Sequence, residues 1–224
     1  MKTVYWGKKL QVNNLLINEE PEKLVKTKEW ANLGSYKQCY AAIEFSKNIF
    51  VIKSPFDFTL WKENDQVMSD KPQEWFDYYI FWGLMQEFDS IQIQFKDFFF
   101  SEEDLEISQL PAYLHDNNFI SSTYLLPGKM NISKWFRGIL PGFKWKKDRI
   151  EVKKGDALYY VQFHTDEQVE FKQFEVSDEL IRLSRMCTDV KEYKGRLPLA
   201  KLYSLFTKAN MKNKILKNIR ENTI

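Results

Sequence analysis

Short apolar segments separated by polar turns dominate the middle of the chain. Residues 48–53 form a β-branched and aromatic run, and residues 120–126 form another, which Pro127-Gly128 closes with a turn signal. Runs of this length bounded by turn residues are typical of β-strands. The pattern therefore predicts a β-rich region from Cys39 onward.

Four further strand-like segments follow one another with short polar turns between them. They span residues 142–146, 149–153, 157–163 and 168–174. Consecutive strands joined by tight turns favour an antiparallel meander. A β-sandwich or a β-barrel is the expected result.

After Val176 the spacing of apolar residues changes from the period of a strand to that of a helix. Ser177 followed by two acidic residues is a typical helix start, and residues 199–219 carry a second amphipathic stripe. We therefore predict a β-rich α+β fold, in which C-terminal helices pack on an antiparallel sandwich or barrel. The segments, which together form one domain, are an irregular or helical N-terminus (1–38), a β-rich core (39–176) and a helical C-terminus (177–224).

Aromatic side chains are frequent, with 18 Phe, 11 Tyr and 7 Trp among 224 residues. One core does not need so many, so we expect some of them at the surface as a binding interface. The preferred patch is Trp135-Phe136-Arg137, although for Trp135 itself a buried packing role is favoured over exposure. At residues 75–88, periodicity does not choose between a helix and two strands, or between a core and a pocket.

Charge is distributed unevenly along the chain. Residues 191–224 contain seven Lys and two Arg against two Glu, a net charge of +7, whereas the whole chain carries +2. The candidate binding residues of this segment are Lys208, Lys212, Lys214 and Lys217. Three interpretations stay open for residues 196–224. The lysines bind an anionic membrane or a nucleic acid, the apolar stripe binds another protein, or the stripe packs on the protein's own sheet.

The two cysteines, Cys39 and Cys187, lie far apart in the sequence and form no CxxC pair. A zinc ribbon or knuckle is thereby excluded. Buried thiols in a reducing compartment are the preferred interpretation, and one long-range disulfide is the alternative. The N-terminus lacks the apolar run of a signal peptide, and no apolar run is long enough for a membrane span. We therefore expect a cytoplasmic protein.

Candidate catalytic chemistry is sparse because the chain has only two histidines, His115 and His164. His164-Thr165-Asp166 matches the His-x-Asp half of the two-histidine, one-carboxylate iron site of 2-oxoglutarate oxygenases. That family has its second histidine downstream, where this chain has none, so His115 would have to supply it from a distant loop. The alternative is a turn in which Asp166 binds its own backbone. Phosphate-binding loops, nucleophile elbows and zinc-protease motifs are absent from the sequence.

Three segments are similar in sequence to known proteins. They are residues 48–58 (NIFVIKSPFDF), residues 132–137 (ISKWFR) and residues 150–163 (IEVKKGDALYYVQF). In the last of them a strand is followed by a Lys-Gly-Asp turn and an aromatic strand. These segments resemble uncharacterised proteins of marine tailed phages and, more distantly, a bacterial domain family of unknown function. The resemblance implies a phage origin and a β-rich fold, and it supplies no activity or site residue.

Together these features favour a non-enzymatic accessory protein that binds a host or viral macromolecule and needs no cofactor. We expect a protein partner, with self-association as one form of it, and a location in the host cytoplasm if a phage encodes the chain. The first alternative is an enzyme like the Fe(II)- and 2-oxoglutarate-dependent oxygenases, with iron at His164, Asp166 and His115. The second alternative is a peripheral binder of anionic membranes or nucleic acids through residues 196–224.

Overall fold

A computed structural model describes residues 1–9, 20–64, 66–82, 89–193 and 197–224. Within these ranges the chain forms sixteen strands, which are β1 (Lys2–Lys8), β2 (Glu22–Lys23), β3 (Ile49–Lys53), β4 (Phe58–Glu63), β5 (Gln66–Ser69), β6 (Ile80–Phe81), β7 (Ser90–Ile93), β8 (Asp97–Phe100), β9 (Glu106–Leu110), β10 (Thr123–Leu126), β11 (Lys129–Asn131), β12 (Gly138–Ile139), β13 (Gly142–Trp145), β14 (Arg149–Val152), β15 (Ala157–Phe163) and β16 (Val169–Gln173). The α-helices of the same ranges are α1 (Lys28–Ala31), α2 (Tyr40–Ser46), α3 (Gln73–Tyr79), α4 (Asn118–Ser122), α5 (Asp178–Tyr193), α6 (Leu199–Lys208) and α7 (Met211–Glu221). Two short 3₁₀ helices span Leu24–Lys26 and Gly34–Gln38.

The strands of the described residues form four sheets. Their strand orders are β12-β8-β1-β16 (the β1 sheet), β11-β9-β15-β3-β2 (the β3 sheet), β14-β4-β5 and β10-β13-β7-β6. Neighbouring strands are antiparallel, except that β1 and β16 run parallel. Each sheet ends in two edge strands, so the sheets are open and pack on one another. The predicted β-rich α+β fold is confirmed, with packing like that of a sandwich.

The four strands predicted over residues 142–174 are present as β13 to β16, but the predicted meander is wrong. Each of the four lies in a different sheet. Their partners come from earlier in the chain: β13 pairs with β7 and β10, β14 with β4, β15 with β3 and β9, and β16 with β1. Tight turns determine the order of strands along the chain, whereas the burial of apolar faces determines which strands pair.

Strands β3 and β8 bury both faces, which explains their uninterrupted apolar sequences. In β3, Phe50 and Ile52 face the main core, and the alternate positions face a second cluster. In β8, Phe99 faces the main core, and Phe98 and Phe100 face a third cluster. The period-two alternation of a strand therefore places consecutive apolar residues in different cores.

Helical layers cover the outer faces of two sheets. The main core lies between the sheets and contains residues from all four of them. Residues 24–46, which we call the N-terminal layer, cover the β3 sheet. Helices α5 to α7, the C-terminal layer, cover the β1 sheet as predicted. None of the described helices combines the length and apolar character needed to cross a membrane.

The N-terminus differs from the predicted irregular segment, because Lys2–Lys8 form β1, an inner strand between β8 and β16. Val4 and Trp6 face the main core, and Tyr5 faces the cluster under the C-terminal layer. Since both faces of this strand are buried, its sequence lacks the polar alternation that would have revealed it. The division of the chain at residues 38 and 176 stays a prediction.

The amphipathic stripe of residues 199–219 forms two helices, α6 and α7, where one was predicted. The break lies at Asn210, whose φ of 52° is in the left-handed region that asparagine tolerates better than most residues. The stripe continues across the break, since Phe206 and Ile215 are buried in the same cluster.

The aromatic segment at residues 75–88 begins as a helix, α3, and continues into β6. The Trp75 ring packs against Phe58 and Tyr79, with ring centroids 5.3 and 5.1 Å away. Tyr79 is buried in the main core. The first part of this segment therefore belongs to the core, and residues 83–88 lie outside the described residues.

Candidate functional site

The aromatic patch predicted at residues 135–137 does not present its rings to solvent. Trp135 is 5% exposed and Phe136 is fully buried, and both belong to the cluster under the C-terminal layer. The Phe136 ring lies 5.3 Å from Phe98, and the Trp135 ring lies 6.2 Å from Phe206. Both rings fill the space between β8 and the helices, so the predicted exposure is wrong for Phe136, and Trp135 has the buried packing role favoured for it.

Arg137 differs from its two neighbours because its side chain reaches the wall of a cleft. Its Nε is buried and has no hydrogen-bond partner among the described residues. Burial lowers the pKa of this guanidinium, and the nearby Tyr203 acts in the opposite direction. A guanidinium nevertheless keeps its charge in proteins, so Arg137 places a positive charge at this wall.

The basic residues of α6 and α7 face water. Lys208, Lys214 and Lys217 are exposed and Lys212 is half-buried. The apolar stripe of the same helices is buried against the β1 sheet, which matches the third predicted interpretation. The stripe is therefore not available to another protein. Binding of the lysines to an anionic membrane or a nucleic acid stays a prediction.

The three residues of the iron hypothesis are not brought together. Within the described residues, no group of three or more His, Cys, Asp or Glu is arranged to hold a metal ion. His164 Nε2 lies 2.7 Å from Ser108 Oγ, and Asp166 is exposed. In the turn itself, the hydroxyl of Thr165, and not the carboxylate of Asp166, accepts a backbone N–H at 3.2 Å. The structure thus lends no support to iron at His164, Asp166 and His115.

His115 is held between Glu29 and Tyr160. Its Nε2 lies 3.4 Å from Glu29 Oε2, and its Nδ1 lies 2.6 Å from the Tyr160 hydroxyl. A carboxylate only accepts hydrogen bonds, so Nε2 carries the proton and Nδ1 accepts from the Tyr160 O–H. Burial lowers the pKa of His115 and raises the pKa of Tyr160, so both groups are neutral at neutral pH. The Tyr160 hydroxyl therefore occupies Nδ1, and Nε2 faces the Glu29 carboxylate.

The two cysteines are free and lie in different surroundings. Cys39 is exposed, whereas Cys187 is buried under the C-terminal layer. Burial raises the pKa of the Cys187 thiol to about 11, which suppresses the reactive thiolate. The interpretation as buried thiols is confirmed for Cys187 and wrong for Cys39.

The N-terminal layer and the loop beside it expose four aromatic side chains that the sequence analysis did not single out. Tyr36, Tyr40, Phe45 and Tyr113 are 59, 89, 52 and 47% exposed. The rings of Phe45 and Tyr113 lie 6.4 Å apart. Burial, and then the nearby Tyr36, raises the pKa of the Tyr113 hydroxyl. We call these four residues the aromatic surface.

Helical geometry explains why the rings of α2 point outward. Ala42 and Ser46, four positions apart on one face, are the buried residues of this helix. At about 3.6 residues per turn, Tyr40 lies on the side opposite that face, and Ile43 and Phe45 lie on its two flanks. All three side chains are exposed. This mismatch between apolar positions and helix period is the sequence signal that could have revealed the surface.

Packed helices, rather than a loose loop, support the rings of the N-terminal layer. Thr27 caps α1, because its Oγ1 accepts a hydrogen bond from the Trp30 N–H at 3.2 Å. Trp30 packs with Val51 of β3 and with Tyr160 of β15 in one buried cluster. The Tyr113 ring also lies edge-on to Tyr160, 5.1 Å away. The aromatic surface is therefore anchored to the β3 sheet.

No protein-family model, no curated protein and no solved structure matches the chain. The resemblance to marine phage proteins stays a prediction.

Proposed function

We propose that the chain is a non-enzymatic interaction protein that binds a protein partner through the aromatic surface. The observation that carries this proposal is the exposure of Tyr36, Tyr40, Phe45 and Tyr113 on an anchored layer. Tyrosine is favoured in protein interfaces because it offers a large ring and a hydroxyl at a low cost in conformational entropy.

The lysines beside the aromatic surface favour a protein over a nucleic acid or an anionic membrane. Lys37 Nζ donates to the Ala31 carbonyl at 3.3 Å, and Lys47 Nζ lies 3.7 Å from Glu44. Binding to phosphates requires unpaired cations whose counterions can be released. Lys47, whose charge is balanced by Glu44, contributes less to such binding, whereas the Ala31 carbonyl leaves the charge of Lys37 unbalanced.

A second copy of this chain is the partner that we propose. Lys37 and Lys47 lie in the same segment as Glu44, so the surface carries charges of both signs. In a two-fold symmetric pair the same surface of both copies is buried, and a surface of balanced charge avoids repulsion between the copies. Aromatic rings and balanced charge together suit such a self-complementary contact.

Sedimentation velocity of the purified chain, from low to high micromolar concentration, tests this proposal. We expect the average mass to rise from 26.9 kDa toward that of a dimer as the concentration increases. Tyr40→Ser and Phe45→Ser should each weaken the association by about 2 kcal/mol, or roughly 30-fold, as expected for central aromatic residues of an interface.

Tyr124→Ser is the matched control, because Tyr124 is 60% exposed but lies on β10 in another sheet. This variant should associate as the unmodified chain does. Equal weakening by Tyr124→Ser would assign the association to another surface. A chain that remains monomeric at every concentration would overturn the second copy as the partner.

A further inference from the structure

A cleft of about 450 Å³ opens between β9, β11, β13 and the start of α6. Apolar side chains form much of its wall, among them Met130, Trp135, Leu140 and Leu202. No Asp or Glu is found among the described residues that line it. Its volume falls in the range of about 300 to 1,000 Å³ that is typical of small-molecule sites.

Arg137 contributes an unbalanced positive charge to this cleft. Its Nε is buried without a hydrogen-bond partner, and its guanidinium forms no ion pair with the described residues. Lys129, the other cation of the wall, lies 2.6 Å from Glu106, so its charge is balanced. Arg137 is half-buried, and a positive charge without a counter-ion beside an apolar wall is unfavourable, so the cleft suits an anionic ligand.

We propose that this cleft binds a small organic monocarboxylate with an apolar body, of the size of a medium-chain fatty acid. A carboxylate accepts two parallel hydrogen bonds from a guanidinium, and the apolar body covers the Leu and Met side chains. One unbalanced positive charge matches the single charge of a carboxylate better than the double charge of a phosphate. This small-molecule site is separate from the aromatic surface and goes beyond the proposed function.

Octanoate is the probe for the test, and octanamide is its neutral counterpart with the same chain length. We expect isothermal titration calorimetry of the full chain, below the micelle concentration, to detect binding of octanoate and not of octanamide. Arg137→Met should weaken octanoate binding roughly 10- to 100-fold, because it removes charge-assisted hydrogen bonds. The same variant should melt at the same or a higher temperature without ligand, because it removes a half-buried positive charge that has no ion-pair partner among the described residues.

Lys129→Met is the control for a general effect of positive charge, and it should change the affinity by less than about fivefold. Octanamide that binds as tightly as octanoate would overturn the proposal, and that comparison needs no variant. Octanoate binding unchanged in Arg137→Met, or matched by inorganic phosphate, would overturn it as well. A clearly lower melting temperature of unliganded Arg137→Met would instead assign the guanidinium a structural role.

Discussion

The two helical layers cover the outer faces of two sheets in different ways. The C-terminal layer buries its apolar stripe, including Phe206 and Ile215, against the β1 sheet. The N-terminal layer buries Trp30 against the β3 sheet and leaves Tyr40 and Phe45 exposed. The difference lies in how completely the apolar positions of each layer follow the helix period.

This comparison changes how an amphipathic pattern is interpreted. The regular apolar stripe of α6 and α7 packs on the β1 sheet of the same chain. The lysines on the opposite side of these helices face water. In α2 the large apolar residues Tyr40, Ile43 and Phe45 fall outside the buried face, so they stay exposed. For locating an interface, apolar residues that disagree with the period are more informative than those that follow it.

The largest loss of stability is expected from a substitution that leaves a cavity in the C-terminal layer. Phe206 is buried, and the Trp135 and Phe100 rings lie 6.2 and 6.5 Å away. Phe206→Ala should therefore lower the free energy of unfolding by about 3 to 5 kcal/mol, because the lost contacts leave a cavity. Urea denaturation measures this loss as a lower midpoint at an unchanged slope.

Lys208→Ala is the matched control, since Lys208 lies two residues further along the same helix and is exposed. It should change the free energy of unfolding by no more than about 0.5 kcal/mol. Similar values for the two variants would contradict the packing of α6 on the β1 sheet. The contrast between the two layers would then disappear.

A smaller, pH-dependent effect is expected from His115, which joins the N-terminal layer to β15. Its folded-state pKa lies below the ordinary value of 6.5, chiefly because of burial, so the unfolded chain binds the proton more readily. The stabilisation that comes from neutral His115 is therefore complete above the pKa that this histidine has in the unfolded chain. It is lost as the pH falls through the pKa that His115 has in the folded chain. The free energy of unfolding should decrease toward acidic pH by at most about 1.4 kcal/mol per pH unit for this proton.

Denaturation of the unmodified chain and of His115→Gln, measured across this pH range, isolates the contribution of this ring. The charged groups around it are unchanged in the variant; they are Glu22, Lys28, Glu29 and Lys53. The profile of the variant should be flatter. His164→Gln is the control at an exposed histidine and should have the smaller effect. Parallel profiles for the unmodified chain and His115→Gln would contradict a buried, neutral His115.

Local patterns were sufficient to predict much of the secondary structure. The strands over residues 142–174 and the helices after residue 176 follow from periodicity and turn residues, which act over a few positions. The pairing of strands could not be predicted in this way. Lys2 in β1 lies opposite Val169 in β16, although the two residues are separated by most of the chain. Such a pairing depends on which strands bury their apolar faces together, and a local pattern does not contain that information.

The candidate site was less predictable, because composition does not determine which face of an element a side chain occupies. The count of aromatic residues suggested an exposed interface, with residues 135–137 as the preferred patch. Three clusters, rather than one core, absorb most of these rings, Trp135 included. The exposed rings lie instead at Tyr36, in the segment predicted to be irregular or helical, and at Tyr40, which lies in a helix where a β-rich core was predicted.

The smallest effect on stability is expected at Tyr40 itself, the most exposed residue of the aromatic surface. Because its ring contributes little buried area, Tyr40→Ser should change the free energy of unfolding by less than about 0.5 kcal/mol. Trp30→Ala, at a buried ring of the same layer, should lower it by about 3 to 5 kcal/mol. Urea denaturation of both variants measures this contrast.

A large loss of stability in Tyr40→Ser would mean that the ring belongs to the core, and the aromatic surface would lose its most exposed member. A negligible loss, combined with weaker association in sedimentation, would separate the role of this ring in binding from any role in folding.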